Sequence, residues 1–160
     1  MRPATPRRHI FNGTLGASFG LCVLFLVVAL QSSCSTSVTR PSPENFRVEI
    51  IDNLDERRFD VSLASLDDHA ICVSKESWPG ESGGFAGPQD YTYLQVGSNR
   101  LPVRSALSSI YCPGGCGEHR VAPHGVLRGF IAYGEFADAN AIAAEPRKEL
   151  HFPLIPYYCR

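Results

Sequence analysis

From residue 46 onward turn residues cut the chain into short segments, and this division most limits what the chain can fold into. Phe59-Asp60-Val61-Ser62-Leu63 places an apolar residue at every second position, the period of a strand with one buried face. Phe46, Val48 and Ile50 alternate in the same way, with Arg47, Glu49 and Ile51 on the other face. Ala70 to Val73, Tyr91 to Val96, Arg100 to Arg104, Val121, Val126 to Tyr133 and Leu150 to Ile155 read as further strand segments. Pro102 marks its strand as an edge, because proline donates no ladder hydrogen bond. Asn53 to Glu56, Leu66 to His69, Gly97-Ser98-Asn99 and Ala122-Pro123-His124-Gly125 supply turns, and Ser77 to Pro88, with four Gly and two Pro, is a long loop. Only Asp138 to Glu145 reads as a helix, with Asp138 as its N-cap. Seven or eight strands at intervals of roughly 8–15 residues predict an all-β fold, a two-sheet sandwich of antiparallel strands with one short helix. A small closed barrel is the second choice. The 160 residues suffice for one such domain and not for two.

The first 33 residues read as an export signal. Arg2, Arg7 and Arg8 precede an apolar run from Leu15 to Leu30, and small residues follow it. The run is shorter than the roughly 20 residues that cross a bilayer core. Leu30-Gln31-Ser32-Ser33-Cys34-Ser35 resembles the lipobox of bacterial lipoproteins, although Gln31 stands where that family has Leu, Val or Ile. The resemblance implies that Cys34 becomes a lipidated N-terminus. Ser35 behind it resembles the pattern that sorts such proteins to the outer membrane, facing the periplasm. Cleavage after Ser35 or Ser37 also satisfies the small-x-small rule and would give a soluble periplasmic or secreted protein. The resulting plan is a signal over 1–33, a lipidated cysteine and polar tether over 34–45, and a β-domain over 46–160. Ala122 to Phe130, an apolar residue, a Pro-x-Gly turn and a strand, resembles the late hairpin of immunoglobulin-like bacterial envelope domains, which implies an immunoglobulin-like sandwich.

Export places the remaining cysteines in an oxidising compartment, where an even number reads as disulfides. Cys72, Cys112, Cys116 and Cys159 allow three pairings. The two glycines of Cys112-Pro113-Gly114-Gly115-Cys116 let that loop fold back on itself, so the expected pairs are Cys112–Cys116 and Cys72–Cys159. The same region admits a metal reading, because Cys112, Cys116, His119 and His124 are four soft ligands within 13 residues. Oxidised thiols and the lack of a scaffolding helix weigh against it, and neither metal nor cofactor is expected.

Three of the fifteen basic residues fall in the signal, leaving twelve against sixteen acidic ones. A mildly acidic domain without basic clusters is a poor nucleic-acid binder. Gly80-Glu81-Ser82-Gly83-Gly84 matches G-x-S-x-G and resembles the nucleophile segment of trypsin-like proteases, but no helix can start after Ser82 and the chain is too short for two barrels. His69 beside Asp67 and Asp68 reads as a solvated turn. No phosphate loop, calcium loop or HExxH motif occurs. The chain is therefore expected not to be an enzyme. Trp78, Phe85, Tyr91 and Tyr93 lie in or beside the long loop, and loop aromatics supply contact area at interfaces. They are the expected partner-binding residues. The predicted function is a lipid-anchored envelope protein that binds another protein, an inhibitor or immunity protein against a basic hydrolase or toxin. A structural accessory subunit of an envelope or secretion assembly and a metal-binding envelope protein are the alternatives.

Overall fold

The computed structural model describes residues 38–104 and 116–159, which belong to one compact unit beginning at Val38. Cys34 and the expected export signal over 1–33 lie outside the described residues, as does Cys112. The described chain is mostly β, with nine short strands in three small antiparallel sheets and one short helix.

The first sheet is a meander closed by a distant strand. β1 (Phe46–Asn53) pairs with β2 (Arg58–Ser65), which pairs in turn with β7 (Val126–Ala132), in the order β1-β2-β7. β2 carries the cleanest alternation in the chain, and it is buried accordingly: Phe59, Val61, Leu63 and Ser65 face the core while Asp60 and Ser62 do not. β1 alternates less usefully. Phe46 and Val48 are half-buried, but Ile50 and Ile51 are both exposed, because β1 lies at the sheet's edge. Residues 54–57 join the pair, with the Asn53 side chain accepting from the Glu56 amide and Arg57 in the left-handed region at φ 52°.

The second sheet, in the order β6-β3-β9, unites β6 (Glu118–Val121), β3 (Ile71–Ser74) and the two-residue β9 (Tyr157–Tyr158). Ile71, Cys72 and Val73 are all fully buried, as a central strand covered on both faces requires. Cys72 is bonded to Cys159, the expected pairing, across 87 residues of sequence. It is one disulfide among the described residues, not two; the second expected pair includes Cys112. β6 leads to β7 through Ala122-Pro123-His124-Gly125, where Pro123 is followed by His124 at φ 55° and Gly125 N–H donates to the Ala122 carbonyl. That is the Pro-then-left-handed sequence of a type II turn.

The third sheet, in the order β5-β4-β8, contains β4 (Tyr93–Val96), β5 (Asn99–Pro102) and β8 (Lys148–His151). β5 is an edge strand, as Pro102 requires. The helix α1 (Ala139–Ala144) is capped by Asp138, whose carboxylate accepts from the Asn140 and Ala141 amides.

Three expectations change. The strands sort into three small sheets where two were expected. The last expected strand, Leu150 to Ile155, is instead β8 followed by an irregular stretch and β9. The segment ahead of β1 is not a free spacer: Pro41 is buried and the Thr39 carbonyl accepts from the Tyr158 amide.

The sheets share one apolar core. Phe59 packs against Tyr133 and edge-on against Phe136, and Leu94, Leu150 and Ile142 come from the third sheet and the helix. Against Tyr133 of that core lies a cation with a buried side chain. The Lys148 side chain is 4% exposed, with Nζ 3.1 Å from Asp52 Oδ2 and 3.1 Å from the Glu145 carbonyl. Its ammonium also faces the Tyr133 ring at 5.3 Å, and the Tyr133 hydroxyl donates to the other Asp52 oxygen. Burial, then the Asp52 hydrogen bond, pushes the Tyr133 pKa upward. The cluster ties β1 to β8 and so joins the first sheet to the third.

Candidate functional site

The four expected partner-binding aromatics are not brought together on one surface. Trp78 and Phe85 are buried at 3% and 7% exposure, and each packs its ring against Phe152 at 6.1 Å. Trp78 also lies over β7, where a Cβ on Gly129 would stand 2.9 Å from its indole nitrogen. Both residues are core, so neither can meet a partner. The physical reason is that the Gly-rich loop folds inward over the edge of the first sheet. Gly80 N–H donates to the Gly84 carbonyl, Gly83 N–H to the Gly80 carbonyl, and the Gly83 carbonyl accepts from Ala132 of β7. Gly83 sits at φ 80° against Phe130, where a Cβ would collide with the ring. The G-x-S-x-G motif is therefore a turn that covers a sheet edge. Ser82 is exposed at its tip, and among the described residues no histidine bonds to it.

Tyr91 and Tyr93 do reach the surface. Tyr91 is 76% exposed in the turn before β4. Tyr93 opens β4, directly opposite His151 of β8 and one diagonal from Arg100 of β5. That register stacks the rings of Tyr93 and His151 at 4.6 Å and lays the Arg100 guanidinium 3.6 Å over the Tyr93 ring. Cross-strand neighbours at these spacings restrain one another. The result is an ordered Arg–Tyr–His stack with Tyr91 two residues away along the chain.

A second polar cluster gathers at the β2–β3 turn. Asp67 accepts from the His69 amide at 2.9 Å and its Oδ1 lies 3.0 Å from His69 Nδ1. The Tyr158 hydroxyl donates to Oδ2 at 2.6 Å. The Tyr158 bond, followed by the His69 bonds, holds the Asp67 carboxyl down at about 2, and the same bond raises the Tyr158 phenol. Sequence proximity suggested only a solvated turn. The turn does orient its histidine, because Asp67 is held by a tyrosine 91 residues away. The shallow depression beside it is lined by His69, Ala70, Arg120, Tyr158 and Cys159. The hydroxyl in that lining is the Tyr158 phenol, already donated to Asp67.

The residues of the metal reading are dispersed. His119 lies on β6, its pKa lowered by burial and by Lys75. His124 is on the β6–β7 turn with Nε2 3.0 Å from Asp68 Oδ1. Cys116 places its sulfur against Glu76. Among the described residues the donor atoms that do converge are those of Cys72, Cys159 and Glu118, within 4.8 Å, and the disulfide takes two of them.

The outer face of the first sheet is a depression of about 630 Å³. Arg58 crosses it, its guanidinium 4.7 Å above the Phe130 ring. Its Nε is 2.8 Å from Asp60 Oδ1, an ion pair whose N–H is not aimed at the carboxylate. None of the described helices is long and apolar enough to cross a membrane. No family model, curated protein or solved structure matches the chain.

Proposed function

We propose that this chain is a non-enzymatic, lipid-anchored protein of the bacterial envelope whose domain binds another protein through Tyr91 and the Tyr93–Arg100–His151 stack. The observation that carries the reading is the 76% exposure of Tyr91, two residues before the tyrosine of that stack. Exposed Tyr and prearranged Arg are residue types that concentrate binding energy at interfaces, and a restrained stack loses little freedom on binding. The acidic surplus of the chain beyond its first 33 residues suits a basic partner, such as a hydrolase or toxin that attacks the envelope, through electrostatic steering. Cys34 carries the lipid in this reading, and Ser35 directs the protein to the periplasmic face of the outer membrane. An immunoglobulin-like arrangement of the strands belongs to the same proposal, supported by the turn that carries the chain from β6 of the second sheet to β7 of the first and by the single core that the sheets share.

The test is capture from envelope extract in mild detergent by the full chain and by its Tyr91→Ala and Arg100→Ala variants. One stoichiometric partner that both substitutions release supports the reading. Retention of that partner by both variants would move binding to another face and sink it.

A further inference from the structure

The two edges of the first sheet are treated differently. The β7 edge is covered by the Gly80–Gly84 turn, which takes the Ala132 amide. The β1 edge has no strand beside it among the described residues, although β1 is eight residues long. It contains no proline and no lysine, two devices that usually keep an edge strand from pairing. Two of its three charged residues also lack ion-pair partners among the described residues, Asp52 alone being paired. Arg47 stands opposite Ala64 and Glu49 opposite Ser62, both are exposed, and neither forms an ion pair among the described residues.

We propose that β1 pairs antiparallel with β1 of a second copy of this chain, with the two-fold axis at Val48. In that register Arg47 faces the second copy's Glu49, Glu49 faces its Arg47, and Phe46 faces its Ile50 in both directions. Two ion pairs and three apolar pairs, the third Val48 against itself, form from groups that are otherwise exposed or half-buried. Neighbouring registers fail. An axis at residue 47 or 49 sets like charges opposite each other, and one at residue 50 sets Val48 against Asp52. An axis between residues puts the core-facing side chains of one copy on the outer face of the other. The β1 sequence is thus self-complementary in one register, the condition for an isologous interface. Pairing would join two three-stranded sheets into one of six.

The experiment is sedimentation velocity on the full 160-residue chain in mild detergent, from about 1 to 100 µM, the range for micromolar association. Wild type should dimerise. Arg47→Glu and Glu49→Arg each turn two attractions into two repulsions, so each alone should dimerise about tenfold or more weakly. Mixed in equal amounts, the two variants should form a heterodimer, because positions 47 and 49 are then both acidic in one chain and both basic in the other. The doubly reversed chain should dimerise like wild type. Near-UV circular dichroism establishes that each variant is folded. A wild type that stays monomeric throughout would overturn the proposal and leave the edge to a strand of another protein. Single variants that dimerise as wild type does would also overturn it.

Discussion

Replacing Lys148 with Met keeps most of the side chain's length and removes the ammonium from beside Asp52 and Tyr133. Its Nζ is within 3.1 Å of both Asp52 and the Glu145 carbonyl, and the side chain is 4% exposed. Removing one partner of a fully buried ion pair costs about 3–5 kcal/mol, mostly because the remaining charge is stranded. Asp52 is less trapped than that: 36% of its side chain meets solvent and it keeps the Tyr133 hydroxyl. The expected loss is therefore about 1.5–3 kcal/mol. For a domain of this size that lowers Tm by about 6–12 °C. The assay is thermal and guanidinium unfolding of wild type, Lys148→Met, Asp52→Asn and the double variant. The double variant should lose less than the sum of the singles, with a coupling of at least about 1 kcal/mol. A Lys148→Met loss below about 0.5 kcal/mol, or additive singles, would show that the cluster does not hold the first sheet to the third.

Other perturbations address separate features. Removing the bridge as Cys72→Ala/Cys159→Ala frees a loop of 87 residues, and chain entropy puts the cost at about 4 to 5 kcal/mol; guanidinium unfolding within about 1 kcal/mol of wild type would contradict it. Asp67 titrates at about 2 in the fold and at 3.8 when free of these contacts, so its contribution is complete above about 4 and disappears as pH falls toward 2. Asp67→Asn should flatten Tm against pH in that window, and an unchanged acid limb would contradict the assignment. Gly83→Ala introduces a Cβ at φ 80° and against the Phe130 ring, and should cost about 2 kcal/mol or more by thermal unfolding. A neutral outcome would show that the Gly80–Gly84 turn does not pack on β7.

Features written in local chemistry were legible in the sequence. The alternation of Phe59, Val61 and Leu63 specified β2 and its buried face, Asp138 announced the helix start, and Pro123-His124-Gly125 announced a turn. Features that depend on a distant partner were not. Trp78 and Phe85 sit in a Gly/Pro-rich stretch without periodicity, and such a stretch reads as surface until Phe152 and Gly129 are known to lie beneath it. Asp67 orients His69 only because Tyr158 comes back from the far end of the chain. Lys148 carries no local sign in the sequence that its side chain is buried. Its burial follows from the meeting of β1 and β8, which are far apart in the chain. The exposed Tyr93 stack was half visible: the tyrosine was identified, while Arg100 and His151 required the register of the third sheet.

The chain enters and leaves this domain at one place. Thr39 is hydrogen-bonded to Tyr158, and the next residue, Cys159, is locked to β3. Tension between the two ends is carried first by that single hydrogen bond; beyond it the covalent bridge bypasses residues 73–158 and shields the third sheet, while β1 and β2 stay in the load path. The same closure suits circular permutation. A short linker from residue 159 to residue 38, with new ends opened at Gly97-Ser98, would keep every strand pair and both partners of the bridge.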